Sequence, residues 1–118
     1  MKQKNTSVKN TEYELKYCLY KKALEDLDDI VGYISNILLE PKIAKNLFNL
    51  IINEIKGLDK MPLRNKLWDD EPLRSQGIRV MLVKNYFVFY YPDENKTTVY
   101  IARIIYTGRD IAKQLDEK

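Results

Sequence analysis

The sequence predicts a single α+β domain: a strand, an antiparallel pair of helices packed on an antiparallel sheet of about four strands, and a short C-terminal helix. Three observations carry this expectation. Apolar residues alternate near the start and again over the final third, whereas between them they recur every three or four residues. Prolines 41, 62 and 92 fall where the pattern changes. The 118 residues, 45% of them hydrophobic, suffice for one core and are too few for two ordinary domains. Helices covering one face of an antiparallel sheet form a common layer architecture.

The elements follow in order. Residues 1–11 are polar and aperiodic apart from Val8 and read as a disordered leader ahead of one domain at 12–118. Glu12 to Leu19 alternates, with Tyr13, Leu15, Tyr17 and Leu19 on one face, and predicts a strand. Leu24, Leu27, Ile30, Val31, Ile34 and Leu38 then make a helical stripe from Lys21 to about Glu40, opposite Glu25, Asp28 and Asp29. Pro41 closes that helix and can open the next, which runs to about Met61 with Ala44, Leu47, Phe48, Ile51, Ile55 and Leu58 facing inward. A break this short makes the two helices an antiparallel hairpin.

Residues 62–76 hold no period and read as a loop of about 15 residues, a length that in a compact domain marks function or mobility. Gly77 to Lys84 alternates again, and Lys84-Asn85 reads as a tight reversal. Tyr86 to Tyr91 is apolar or aromatic at every position, as in a central strand covered on both faces. Turn residues at 92–96 lead into the partner strand, Thr97 to Ile105, and Arg109 to Leu115 forms the closing helix.

Composition removes several function classes. Histidine is absent, which takes away the commonest general base, the imidazole triads and most zinc sites. No glycine-rich phosphate loop exists, so no cofactor is expected. The single Cys18 cannot form an internal disulfide and reads as a small core residue; the acidic run Asp26, Asp28 and Asp29 reads as a solvated helix face, so no metal is expected. No apolar run approaches the ~20 residues of a membrane span, and the N-terminus lacks a signal-like apolar stretch. A reducing cytoplasm fits these features.

The net charge of +3 comes from the leader: residues 1–11 carry three lysines, 12–60 carry 7 basic and 9 acidic groups, and 61–118 carry 10 and 8. A body without net charge gives little general attraction to nucleic acid. All five arginines, however, lie in the second half, and the arginine fork matches carboxylate or phosphate oxygens bidentately. The sharpest stretch is Val99 to Ile111, which sets Arg103 inside an apolar strand and Arg109 just after Gly108. An arginine inside a strand must be paired or face a polar site. Arg103 could pair with a carboxylate of the first helix and Arg109 with Asp110 or Glu54; either could instead hold a phosphate or a partner's carboxylate. Of the nine tyrosines most should be core or cross-strand residues, although the group Tyr86, Tyr90, Tyr91, Tyr100 and Tyr106 could stack bases, and Tyr106, at a strand end, is the exception most open to a partner.

Three stretches, Ala23 to Ile34, Arg79 to Tyr90 and Val99 to Asp110, resemble the RelE/ParE superfamily of toxins from bacterial type II toxin-antitoxin systems, and the element order agrees over residues 12–115. The resemblance implies a small growth-inhibiting toxin, made beside an antitoxin protein that blocks its active surface. RelE-like members cut messenger RNA on the ribosome; ParE-like members poison DNA gyrase. In RelE-like members an arginine opens the strand that here begins Tyr86-Phe87, and the matching position holds Phe87, which can neither donate to a phosphate nor stabilise a phosphorane-like charge. Lysines of the preceding strand fall near Ile78 and Val80. The third stretch is closer to the ParE-like pattern, and Arg109 matches a basic residue of both branches.

The resemblance therefore leans toward a gyrase-directed inhibitor, with a metal-independent messenger-RNA endonuclease as the alternative and a non-toxic binding module as a third reading. For an endonuclease the catalytic set would be Arg79, Arg103, Tyr106 and Arg109. Otherwise Arg79, Lys84, Arg103, Arg109 and Trp68 would contact the target or the antitoxin. Exposed apolar residues on the long loop, Leu67 and Trp68, together with the helical hairpin would suit an amphipathic partner helix.

Overall fold

A computed structural model describes residues 6–9 and 16–116. The element order is β1 (Thr6–Lys9), β2 (Lys16–Leu19), α1 (Lys21–Gly32), α2 (Pro41–Lys56), β3 (Arg79–Val83), β4 (Tyr86–Asp93), β5 (Thr98–Tyr106) and α3 (Ile111–Leu115). Within the stretch expected as a disordered leader, Thr6–Lys9 pair antiparallel with β2. Of the first expected strand, residues 12–15 lie outside the described residues.

The sheet has the order β1-β2-β5-β4-β3. It is mixed rather than wholly antiparallel, because β2 runs parallel to β5, with Tyr17 beside Val99 and Leu19 beside Ile101. Such a pairing needs a long connection, and here the helices and the β3–β4 hairpin supply it.

The helical hairpin packs on one face. Ala23 and Leu27 of α1 and Ala44, Ile51 and Ile55 of α2 are buried, and the main core joins this face to Tyr17, Leu19, Met81, Val83, Val88, Tyr90, Val99, Ile101 and Ile104 of the sheet. The Tyr17 hydroxyl donates to the Lys56 carbonyl at the end of α2, which ties the helix to β2. A second, smaller cluster lies on the opposite face, where Val80, Phe89 and Ile105 meet Trp68, Ile78, Phe87, Ala102, Ile111 and Leu115. β4 is thus covered on both sides, as its unbroken apolar run predicts.

The first helix stops short of the expected residue 40. α1 ends at Gly32, a π-helical turn spans Tyr33–Ile37, and Leu39 takes a left-handed φ of +58°. The cause is local. Pro41 keeps Glu40 out of the helical region, at φ −123° and ψ 67°, so the chain must reverse in the two or three residues before it. A leucine in that conformation carries about 1–2 kcal/mol of strain. The second helix likewise gives way at Gly57 to a single 3-10 turn, Gly57–Asp59.

Between β4 and β5 the register slips by one residue: Tyr90 faces Ile101 while Phe89 faces Arg103, leaving Ala102 as the bulged residue. Consequently Ile101 and Ile104, three apart, both enter the helix-side core, although strict alternation would put them on opposite faces.

Candidate functional site

The second half of β5 and the turn after it position the residues of interest. β2 ends at Leu19, and the last bond on that side runs from the Tyr20 amide to the Ile101 carbonyl at 3.0 Å. Beyond it the edge of β5 has no strand to pair with among the described residues, and a buried amide there needs another acceptor. Asp26 of α1 supplies it. One carboxylate oxygen accepts from the Ile104 amide at 2.9 Å and from Arg103 Nε at 2.7 Å, and the other accepts from Arg103 Nη2 at 3.1 Å. The remaining guanidinium nitrogen donates to the Gln114 carbonyl of α3 at 2.8 Å. Arg103 is 8% exposed. Of the two roles open to it, pairing with a carboxylate of the first helix is the arrangement present, and it locks α1, β5 and α3 together.

Past the strand end the chain opens a groove of about 710 Å³, walled by Asp29, Ile30, Tyr33, Ile34 and Leu38 on one side and by Tyr86, Tyr106 and Arg109 on the other. Tyr86 and Tyr106 are cross-strand partners with ring centroids 5.7 Å apart. Burial, and then the neighbouring Tyr106, push the Tyr86 hydroxyl pKa up. Tyr106 is 46% exposed, and its ring lies against Gly108, where an added Cβ would sit 2.3 Å from a ring carbon. Glycine is therefore what lets Tyr106 lie over the turn.

Arg109 is exposed and lines this groove as well as the adjoining cleft beside Lys22, Asp26 and Arg103. Among the described residues its guanidinium has no ion pair or hydrogen bond, so the expected pairing with Asp110 or Glu54 does not form. Asp110 instead caps α3, accepting from the Lys113 amide at 3.2 Å.

The other sequence-predicted residues lie elsewhere. Arg79 donates to the Asn65 carbonyl at 2.6 Å and the Leu63 carbonyl at 3.3 Å, pinning the long loop to β3. It pairs with Tyr90, at the far end of β3 from Val83, so about 13 Å of strand separates it from the Tyr86–Tyr106 end. The Tyr90 hydroxyl, buried beneath that loop, donates to the Pro62 carbonyl at 2.9 Å and accepts from Asn65 at 3.1 Å. Burial raises its pKa, and the Asn65 bond opposes the shift. Lys84 is exposed in the β3–β4 turn at φ +54°, at the same end of the sheet as Tyr106.

Trp68 is not the exposed residue the sequence led us to expect, nor is Leu67; both are half-buried. The loop runs beside β3, with the Trp68 amide on the Ile78 carbonyl at 2.8 Å and the Val80 amide on the Lys66 carbonyl at 3.0 Å. This pairing lays the indole edge-on against Phe89 at 5.0 Å and Phe87 at 5.7 Å. Phe87 and Phe89 are themselves 6.0 Å apart, so Phe87 lies in an aromatic cluster.

The structure thus brings Tyr106, Arg109 and the ion-paired Arg103 to one cleft, places Lys84 at the same end of the sheet, and separates Arg79 and Trp68 from them. Sequence reading missed Tyr33, Ile34 and Leu38 as groove residues, assigning Ile34 and Leu38 to a core stripe and Tyr33 to no site; the signal available was the uncharged run from Gly32 to Leu39. Among the described residues no cluster of three or more metal-ligating side chains exists, and no helix is long and apolar enough to cross a membrane.

Comparison with solved structures finds the same architecture. The chromosomal ParDE toxin-antitoxin system from P. aeruginosa contains a chain that is 21% identical, with a TM-score of 0.60 over 75% of this chain and 90% of that one. The RelBE2 toxin-antitoxin complex from Mycobacterium tuberculosis contains another at 22% identity, with a TM-score of 0.53 over 76% and 94%. At such identities the likeness is one of fold. No curated protein matches at a significant level. The model of the family described as the ParE toxin of the type II toxin-antitoxin system parDE matches residues 18–111, from the end of β2 through the start of α3. The chain therefore belongs to the ParE toxin family, within the RelE/ParE superfamily of type II toxins.

Proposed function

We propose that this toxin arrests growth by inhibiting DNA gyrase in the cytoplasm and is neutralised by an antitoxin protein made beside it. The observation that carries the choice of target is the aromatic cluster of Phe87, Phe89 and Trp68. Phosphodiester cleavage without metal or histidine needs cations aimed at the scissile phosphate and a group to move the proton. The cluster puts hydrocarbon at the position where the RNA-cutting branch has an arginine. Arg103 is held in an ion pair with Asp26, and Arg79 is bonded to loop carbonyls. That leaves Arg109, Tyr106 and Lys84 at one end of the sheet as contacts to a protein target.

The antitoxin part of the proposal draws on the two similar complexes, each of which pairs a toxin with an antitoxin. A ribosome-dependent endonuclease retains one argument, the unpaired Arg109 beside Tyr106 in an open groove. Primer extension on messenger RNA translated in a reconstituted system separates the two. We expect intact message at protein concentrations that arrest growth; cuts at A-site codons that disappear in Arg109→Ala would establish the endonuclease instead. Induction without growth arrest would favour the binding-module reading.

A further inference from the structure

The reversal between α1 and α2 exposes an apolar tip. Tyr33, Ile37, Leu38, Leu39 and Ile43 are 55%, 66%, 51%, 75% and 54% exposed. From Gly32 to Leu39 there is no charged side chain, which is the composition of an interface centre rather than of a solvated turn. Five large, half-bared apolar residues in one place reach the upper range of what an ordinary monomer shows to water. Leu39, the most exposed, is held outward by a left-handed φ of +58°.

The groove lies against this tip, since Tyr33 and Leu38 belong to both. A projection and a recess on one patch are what a two-fold interface requires, because each copy then fills the other. The charges match in the same way. Glu40 and Lys42 follow the apolar tip, and Arg109 and Asp29 line the groove. Neither Glu40 nor Arg109 has an ion pair among the described residues.

We propose that two copies of this chain associate through the helical-hairpin tip, Ile37 and Leu39 of each seating in the tyrosine-lined groove of the other and Glu40 meeting the other's Arg109. The patch is small, so the dimer is a micromolar one. The groove it fills is the one that presents Tyr106 and Arg109, so the second copy and the target compete for the same surface.

Sedimentation velocity of the full chain, from about 1 to about 200 μM, tests it. We expect a concentration-dependent shift from monomer to dimer. Leu39→Asp should abolish the shift without loss of folded signal, because the side chain is exposed and aspartate tolerates a left-handed φ. Arg109→Glu should weaken association at least tenfold, and the double exchange Arg109→Glu with Glu40→Arg should restore it. A monomer throughout the range overturns the proposal, as does a dimer indifferent to Leu39→Asp or a charge exchange that fails to rescue. A monomer in which Leu39→Asp abolishes protection by a co-expressed antitoxin would assign the tip to that partner and overturn it equally.

Discussion

Arg103 and Arg109 stand six residues apart on one stretch of chain and have opposite fates. Arg103 is 8% exposed, with a carboxylate, a carbonyl and a bulged strand arranged around it. Arg109 is exposed, follows a glycine that lets Tyr106 fold over the turn, and meets no acceptor among the described residues. The difference comes from the edge of β5. Where α1 crosses that edge, Asp26 accepts from the orphan Ile104 amide and draws in Arg103; past the strand end, Arg109 faces a groove whose other wall is Asp29, Ile30 and the π-turn. One residue type therefore serves the fold at one station and is available to a partner at the other.

The largest effect should come from breaking the first station. Asp26→Ala leaves a buried guanidinium and the Ile104 amide without their acceptor, and urea unfolding should show a loss of about 3–5 kcal/mol. Replacing both partners by apolar residues, Asp26→Leu with Arg103→Met, should recover much of that loss; a double variant as unstable as the single one would mean that the Ile104 amide, not the charge, sets the cost.

Next comes the aromatic cluster on the opposite face. Trp68→Ala removes a half-buried ring and should cost about 2–3 kcal/mol, less than the full burial of tryptophan would imply. Hydrogen exchange should localise the damage to residues 62–78, with α1 and α2 keeping their protection. Equal loss in the helices would show that the two faces unfold as one unit.

A smaller effect concerns pH. The folded pKa of Tyr90 is raised, chiefly by burial. The stability it contributes is fully present below the unfolded value of about 10 and is lost as pH rises through the folded value. Unfolding free energy should therefore fall above about pH 10, and Tyr90→Phe should flatten that fall while lowering stability at neutral pH by about 1 kcal/mol for the lost bonds to Pro62 and Asn65.

The smallest structural effect falls on the second station. Arg109→Ala should shift stability by no more than about 0.5 kcal/mol, as surface changes do, yet should reduce growth inhibition on induction by tenfold or more. A variant that unfolds, or one that remains fully toxic, would break the contrast with Arg103.

Much of this fold is legible in the residue pattern because its physics is local. The stripes of α1 and α2, the proline between them and the unbroken apolar run of β4 each report burial directly, and the aspartates of the first helix offered a partner for a strand-interior arginine. What was not legible depended on distant geometry. The parallel pairing of β2 with β5 follows from where the helices return the chain, and no feature of 16–19 announces it. The bulge at Ala102 redirects Arg103 through a register shift that periodicity cannot foresee. The groove was hidden because Ile34 and Leu38 continue the apolar stripe of α1, whereas the π-helical turn at Tyr33–Ile37 and the reversal after it set them, with Tyr33, along the groove wall. Trp68 misled for a similar reason: backbone pairing of its loop with β3 carries the ring inward.

The most direct measurement is supercoiling by purified DNA gyrase with the purified toxin added. The account predicts inhibition by the wild-type chain, undiminished in Phe87→Ala variants that remain folded and lost in Arg109→Ala. Full supercoiling activity at a large excess of a toxin that arrests growth would contradict it.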